Sequence, residues 1–481
     1  MSHHRRNMRE GMWHRSQIAL QSFMDNHMLS HLAGRLGAFV QRGGECRIGN
    51  ESLPTTASAS AGRTASLSAA FPMSDIAIEP NALASSSTDL PAEIWGEIAR
   101  YSSRDDILNL RSTCAAIKPE ADTAVSTMTL QGSDRLRAFT HSGSFRHLTL
   151  LRLVDVDDAS LHHFTMALTR HPRNNLTLEI ENSHQGVARG LAALSEVPLA
   201  QLRLQNVYLI ESVLAALERC PFPIALSGYF CTEEFVGAVR IPTLRQLTSP
   251  STEFDDAIAQ AFAQHRGLRV LSLSACDNLT SRGMADLARI PTLQALSIDE
   301  SLFWACPIDA TAARALAANP TMERLSIPSG KRAPSEETVA ELSKSRTLKR
   351  LEISVCNGTH RLANLVSLED LTLYGGRNGP SISVPIAQAV ARLPNLHTLC
   401  LNATEFAAGA LNTLLAECRA KHLVLQNISL HQEEIAGPNI NDHLKALTLL
   451  NVGASRALLL PLQHHPGLES FTVHGQSTLT P

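Results

Sequence analysis

The sequence predicts an α/β solenoid, in which strand–turn–helix units stack and place a parallel sheet on the concave side. The pattern Leu-x-x-Leu-x-Leu recurs at intervals of about 24 residues, for example at Leu268, Leu271 and Leu273. Its last two apolar residues are two apart, so both point into the core while the residue between them points out. Alanine-rich runs, such as 312–317 and 386–391, end near prolines, as short helices do. One unit cannot bury its own apolar side, so neighbours must stack.

About fourteen such units fill residues 131–481. Their strands begin near residues 148, 176, 199, 224, 244, 268, 293, 322, 348, 368, 396, 423, 444 and 468. The period and the leucine spacing resemble those of leucine-rich repeats, and the resemblance implies a protein-binding surface along the strands. Cys276 and Cys356 follow their strands where such repeats commonly hold a buried Asn or Cys, so we expect both thiols to be structural.

The composition limits which classes of partner and ligand we expect. The chain has 481 residues, of which 44% are hydrophobic, and a formal net charge of -3, so it lacks the basic character that favours nucleic acid. It has no apolar run of about 18 residues that could cross a membrane. Nine cysteines occur without a Cys-x-x-Cys pair, which argues against a disulfide framework or a zinc site. We expect no cofactor and no metal, because the pairs His162/His163 and His464/His465 lack a third ligand.

No catalytic arrangement is visible in the sequence. A cysteine ligase would need a thiolate with a lowered pKa and a base beside it. Cys276 and Asp277 form the only adjacent Cys–Asp pair, and they lie at a turn between repeats. We therefore predict that the protein is not an enzyme.

The first 85 residues differ in kind from the repeats. The stretch 51–68 is dominated by Ser, Thr, Ala and Gly and has no repeat pattern, which predicts a disordered segment. The apolar run at 18–20 is too short for a Sec signal. Residues 18–40 could form an amphipathic helix, with or without a role.

Residues 86–130 are predicted to form a small all-α unit. Leu90, Ile94 and Ile98 are four apart and share one helical face, and a capping box at Ser103 opens a second helix. Such a segment is too small to make a core alone. Its apolar face should therefore meet the repeats, a partner, or both.

This segment resembles an F-box, because Leu-Pro, Glu-Ile, a further Ile, and then Asp, Leu, Leu, Arg and Cys follow in the family's order. F-boxes bind the Skp-type adaptor of cullin–RING ubiquitin ligases. Carried over residue by residue, the adaptor contacts would be Leu90, Pro91, Ile94, Ile98, Leu108, Leu110 and Cys114. Residues 115–118 depart from the family pattern, since they lack the aromatic side chain usual there.

An F-box followed by leucine-rich repeats, with alanine-rich helices and a Ser-rich leader, is similar to the GALA-type effectors that plant-pathogenic bacteria inject by type III secretion. The resemblance implies an export region at 1–85 and a non-catalytic receptor that holds a protein substrate near the ubiquitin-conjugating enzyme in the host cytoplasm or nucleus. The Gly-Ala-x-Ala-Leu-Ala motif of these effectors is echoed at 190–194 and 313–317. The alternatives are a cytoplasmic eukaryotic F-box/leucine-rich-repeat protein, and a repeat scaffold without ligase association whose helical segment only caps the solenoid.

We predict that the substrate binds the outward strand positions and the loops that follow. The units beginning at Leu293, Met322 and Leu368 exceed the period, and their extra residues follow the strand, which should place them on one rim. The adjacent aromatic pair in the first of these loops suits a binding hot spot, or equally a plug over the core. The predicted substrate-binding residues are Phe303, Trp304, Arg324, Arg350, Tyr374 and Arg377.

Overall fold

The computed structural model describes residues 126–142, 148–170, 174–183, 187–299, 308–328, 333–375, 380–430, 440–454, 459 and 462–475. Within them, fifteen strands form one parallel sheet whose spatial order is the order of the chain. The strands are β1 Thr127–Gln131, β2 Leu150–Val154, β3 Thr177–Glu181, β4 Gln201–Gln205, β5 Ile224–Ser227, β6 Leu244–Ser249, β7 Val270–Ser274, β8 Ala295–Asp299, β9 Arg324–Ile327, β10 Arg350–Ser354, β11 Asp370–Tyr374, β12 Thr398–Asn402, β13 His422–Gln426, β14 Ala446–Leu450 and β15 Ser470–His474.

A helix follows most of these strands and returns the chain to the start of the next. The α-helices are α1 Ser133–Ser142, α2 Asp158–Arg170, α3 Ala188–Leu194, α4 Glu211–Leu217, α5 Thr232–Val239, α6 Asp256–Phe262, α7 Ser281–Leu287, α8 Ala310–Ala318, α9 Glu336–Leu342, α10 Val384–Ala391 and α11 Ala410–Glu417. Between β10 and β11 a 3-10 helix, Asn357–Asn364, takes this place. The prediction of an α/β repeat fold with a parallel sheet is confirmed.

The core lies between the strands and the helices and runs continuously along the repeats. In β10, Leu351 and Ile353 are fully buried, whereas Arg350 and Glu352 point to the opposite side. The register keeps this alternation in step with the neighbouring strands, since Leu351 pairs with Leu325 on one side and with a leucine of β11 on the other. Hydrophobic burial across the stack therefore supplies the main stabilisation.

The turn after each strand commonly begins with a left-handed residue. Among the described residues, φ is between 50° and 59° at Asp155, Asn182, Asn206, Ala275, Ala403, Asn427 and Asn451. Asparagine tolerates this conformation, and its side chain can also bond to a neighbouring turn. The Nδ2 atom of Asn451 donates to Oδ1 of Asn427 at 2.8 Å, and Asn206 donates likewise to Asn182 at 3.2 Å. These ladders join consecutive turns.

Close packing between successive helices requires glycine at some positions. A Cβ on Gly358 would lie 2.6 Å from the Cα of Glu336 in the preceding helix, and one on Gly190 would lie 2.5 Å from Cγ of Leu161. Gly190 is the glycine of the motif echoed at 190–194. That glycine allows α2 and α3 to approach each other.

In several of the connections between a helix and the next strand, a polar side chain forms hydrogen bonds with backbone groups. Nδ1 of His265 accepts from the backbone N–H groups of Gly267 and Leu268, and its Nε2 donates to the Ile241 carbonyl at 2.9 Å. Asn319 makes similar bonds, because its Nδ2 donates to the carbonyls of Ala288 and Ile290 in the preceding repeat. These bonds satisfy buried backbone groups that the turn would leave without partners.

Two features differ from the sequence-based expectation. β1 is a fifteenth strand, and it begins at Thr127, inside the range 86–130 that was assigned to the helical segment. It pairs with β2 over its full length, because Met128 and Leu130 supply the two-residue apolar spacing without a preceding leucine. The register also shifts between β5 and β6, at Ile224/Ala225.

Some of the remaining predictions concern residues that the structure describes, and others concern residues outside those ranges. Cys276 and Cys356 are buried, as predicted. The segment 1–85 and the seven residues assigned to adaptor binding lie outside the described residues. No helix in the described ranges is long and apolar enough to cross a membrane, and the same ranges hold no group of three candidate metal ligands.

Candidate protein-interaction site

Strand residues that alternate with the buried leucines form what we call the open face of the sheet. On β8 to β12 this face is polar, and the register places its side chains in rows across the strands. Arg324, Arg350 and Asp370 form one row. The next row holds Ser297, Ser326, Glu352, Thr372 and Cys400. Because a parallel sheet holds neighbouring strands at a spacing of about 4.8 Å, each row is a near-continuous strip of side chains.

Glu352 is the centre of the polar network on this face. Its Oε2 accepts a hydrogen bond from Ser326 Oγ at 2.8 Å and one from the Tyr374 hydroxyl at 3.3 Å. Burial, followed by the negative charge of Glu352, raises the pKa of Tyr374 above its ordinary value, so the phenol stays protonated and remains a donor. The network therefore fixes side chains from three adjacent strands.

The two arginines of the first row differ in whether they form an ion pair. Nε of Arg350 lies 2.7 Å from Oδ2 of Asp370, and both side chains are partly exposed. Such a pair contributes about 0–1 kcal/mol to stability, so its main effect is on orientation. Arg324 is exposed and forms no ion pair with any other described residue. It can therefore accept a new anionic partner.

Negative charge gathers farther along this face, toward the carboxyl ends of the strands. Asp299 accepts a hydrogen bond from Ser297 at 3.3 Å, while desolvation, and to a smaller extent the charge of Glu352, raises the pKa of its carboxyl. Burial, and then Glu352, raises the pKa of Cys400 to about 11, so its thiol is protonated at neutral pH. The face thus presents a cation next to carboxylates and hydroxyls, an arrangement that can recognise a polar protein surface.

The buried thiol of Cys276 also has a raised pKa. Burial raises the pKa of Cys276 to about 11, with the charge of Asp277 adding to the effect. A catalytic thiol requires a lowered pKa. The adjacent Cys276–Asp277 pair therefore does not form an activated nucleophile.

Strands, register and buried leucines together decide the fold. It is an α/β leucine-rich-repeat solenoid. No family model and no curated protein matches the sequence of this solenoid. Among solved structures it is similar to the crystal structure of a TLR13–ssRNA13 complex, with 13% identity and a TM-score of 0.33 over 73% of this chain. The match covers 62% of that protein, so the solenoid chain spans less than two-thirds of its length.

The structure brings together part of the predicted substrate site. Arg324, Arg350 and Tyr374 lie on consecutive strands β9, β10 and β11 and share the open face. Phe303, Trp304 and Arg377 lie outside the described residues, so whether they join this site stays a prediction.

Asp299 and Glu352 were expected at outward strand positions, but the predicted substrate-binding residues did not include them. Glu352 and Asp299 occupy outward strand positions, as the two-residue period predicts, but their proximity depends on the register between repeats of unequal length. Cys400 was also omitted. Aligning the strands by their buried leucines would have placed it two strands from Glu352.

Proposed function

We propose that this protein is a non-catalytic substrate receptor of a cullin–RING ubiquitin ligase. In this proposal, residues 90–125 dock on a Skp-type adaptor and the open face of the repeats binds a protein substrate. A receptor of this kind accelerates ubiquitin transfer by proximity alone, because it raises the local concentration of substrate near the conjugating enzyme.

The observation that carries the substrate-binding half is the charged network on β8 to β11. Residues on a strand face that no helix covers do not contribute to the core, so their identity is set by solvation or by a partner. Here Glu352 has two side-chain donors and Arg324 has no counter-ion among the described residues. A network of fixed orientation beside an unpaired cation favours recognition of a protein surface.

The adaptor-binding half rests on the sequence of residues 90–114. Leu90, Pro91, Ile94 and Ile98 stand in the order and spacing of the F-box. Interfaces of this type depend on a few apolar anchors near their centre. Leu90→Ala/Pro91→Ala should therefore abolish co-purification with Skp-type adaptors, and retained binding by a folded double variant would contradict the proposal.

The substrate-binding half needs a separate experiment. We would immobilise the full chain with its adaptor and compare the proteins captured from plant-cell extract by wild type and Arg324→Ala/Glu352→Ala. Loss of an interface anchor of about 2 kcal/mol corresponds to roughly thirtyfold weaker capture. Arg203→Ala is the matched control, because Arg203 is an exposed arginine on the open face of distant β4. Equal capture by all three proteins would remove the β8–β11 surface from the proposal.

A bacterial effector origin is the finer part of the proposal. It is supported by the resemblance of the F-box and repeats to GALA-type effectors, with residues 1–85 as the export region. A reporter fused to residues 1–85 should be delivered into host cells only by a bacterium with a working type III system. Absence of delivery by a bacterium with that system would favour the eukaryotic or another cytoplasmic alternative.

A repeat scaffold without ligase association is the second candidate, and one observation favours it. β1 begins at Thr127, directly after the segment predicted to be helical, and is the first strand of the sheet among the described residues. An edge strand has unpaired backbone groups that commonly need a cover. If residues 90–125 only supply that cover, Leu90→Ala/Pro91→Ala should lower the thermal stability of the solenoid. If they bind an adaptor instead, the same variant should lose binding without that loss.

A further inference from the structure

An aromatic surface lies away from the sheet-face site, at the edge where the parallel strands end. We call this edge the carboxyl edge. Tyr208, Ile210 and Tyr229 occupy the turns after β4 and β5 and are 58%, 52% and 48% exposed. The chain has only four tyrosines, and two of them are in this group. Large exposed hydrophobic side chains in adjacent turns are unusual, and aromatic residues are enriched at protein interfaces. These three residues are the tyrosine patch.

The two turns that carry the patch are held together by hydrogen bonds. Glu234 joins them, because its Oε1 accepts from Leu209 N at 3.0 Å and its Oε2 accepts from Cys231 N at 2.8 Å. The backbone N–H of Asn206 also donates to the Ser227 carbonyl at 2.7 Å. The patch therefore stands on a fixed pair of turns.

A stack of aromatic rings lies in the core next to these turns. Phe230 follows Tyr229 directly, is buried, and meets Phe235 edge to face with 5.6 Å between ring centroids. Phe235 meets Phe254 in the same way at 5.1 Å. Because the backbone beneath the tyrosines is anchored in a packed aromatic core, little conformational entropy of the backbone is lost when a partner binds.

The turns that carry and surround the patch hold acidic but no basic side chains, and the exposed arginines Arg189 and Arg282 lie in the first turns of α3 and α7. The described turns between strand and helix, at 155–157, 182–183, 206–210, 228–231, 250–255 and 275–280, contain no lysine or arginine. Glu233 and Glu253 are exposed in the turn and first helical residues next to the patch, whereas the exposed Glu211 carboxylate pairs with Arg240 at 2.9 Å. The opposite, amino edge of the same repeats is basic, with arginines at positions 219, 240, 266, 269 and 289.

From this geometry we propose that the tyrosine patch is a second protein-binding surface, which takes a basic segment with an apolar side chain. The apolar side chain would pack on Ile210 and the tyrosine rings, and flanking lysines or arginines would lie over the rings and against the surrounding glutamates. The proposal goes beyond the function proposed above, since neither the sheet-face residues nor the adaptor-binding segment takes part.

Synthetic labelled peptides test this surface on the full chain by fluorescence anisotropy. Lys-Leu-Lys-Lys-Leu-Lys should bind and should weaken with added salt, whereas Glu-Leu-Glu-Glu-Leu-Glu and Lys-Ser-Lys-Lys-Ser-Lys should bind at least about tenfold less tightly. Tyr208→Ala/Tyr229→Ala should reduce binding of the first peptide about tenfold or more. Its thermal unfolding should match wild type, because both side chains are about half exposed.

Two control variants locate the binding. Val366→Ala removes an equally exposed apolar side chain in a distant repeat, 58% exposed, and should bind the first peptide as wild type does. Arg324→Ala/Glu352→Ala alters the sheet face and should also bind it normally, so failure of this inference is separate from failure of the proposed function. Failure of wild type to bind Lys-Leu-Lys-Lys-Leu-Lys would overturn the proposal. Unchanged binding by the double tyrosine variant would overturn it as well.

Discussion

Two segments of the solenoid use the same repeat in opposite ways. In the aromatic segment, residues 224–274, phenylalanines fill the core, and the open face carries small residues such as Ala225 and Ser272. In the charged segment, residues 324–374, the strand core is aliphatic and the open face carries arginines, Glu352 and Tyr374. Large aromatic side chains reach solvent in the first segment only at the carboxyl edge.

The difference shows which parts of a repeat are constrained. The inward strand positions must fill a space fixed by the neighbouring units, so they stay apolar and vary only in shape. The open face and the carboxyl edge have no such requirement. Charge is therefore concentrated on the open face of the charged segment. Aromatic surface lies on the carboxyl edge, in the first turn of the aromatic segment and the turn one repeat before it, and these are the two places where we propose partners.

The largest expected effect tests the aromatic core. Phe235 is fully buried and contacts two other rings, so Phe235→Ala should lower the free energy of unfolding by about 3–5 kcal/mol. Val236→Ala is the matched control, because the adjacent Val236 side chain is 51% exposed and should cost little. Urea unfolding followed by circular dichroism measures both. Similar stability of the two variants would show that the aromatic stack is not what distinguishes this segment.

A smaller effect tests helix packing in the charged segment. A Cβ at Gly358 would meet the backbone of Glu336 at 2.6 Å, so Gly358→Ala should cost about 1–3 kcal/mol by overpacking. At Gly453 the nearest atom would lie 3.5 Å from the new Cβ, and Gly453→Ala should be close to neutral. Thermal unfolding of the two variants gives the comparison. A neutral Gly358→Ala would mean that the two helices can separate without loss.

The smallest effect appears only in acid and concerns His265, in the aromatic segment. Burial lowers the pKa of His265 below its ordinary value of 6.5, and its Nδ1 already accepts two backbone N–H bonds. The unfolded chain therefore binds this proton more readily, so its contribution to stability is complete above about pH 6.5 and is lost as the pH falls below it.

The repeat itself supplies the test variant for this prediction. Asn319 occupies the corresponding position and bonds to the backbone with an amide that does not titrate. His265→Asn should therefore keep the stability measured near neutral pH, and should lose part of the decline between about pH 7 and pH 5. Identical pH profiles for the variant and wild type would assign the acid sensitivity to other groups.

Much of the fold could be predicted from the sequence, because the leucine spacing states both the strand period and the direction of each side chain. Arg324, Arg350 and Tyr374 were assigned to the outward face for this reason, and they lie there. β1 was missed since its two apolar residues lack the preceding leucine that marked the other units. A search for the full Leu-x-x-Leu-x-Leu pattern misses a terminal repeat that has only the last two apolar positions.

The sites were less predictable than the fold. The bond between Tyr374 and Glu352 joins residues that are distant in sequence and depends on how two repeats align. Tyr208 and Tyr229 stand in turns, where the two-residue alternation of a strand no longer fixes whether a side chain points in or out. Their rarity in this sequence was the one available signal.

The asparagine ladder bears on how such a gene can change its length. Asn427 bonds only to the turn before it and the turn after it, and Asn451 continues the same arrangement one unit later. Since each unit is completed by its immediate neighbours, duplication or loss of a whole unit joins surfaces that already match. Evolution can therefore lengthen or shorten this solenoid in steps of one repeat, and can move one proposed binding surface relative to the other without redesigning either.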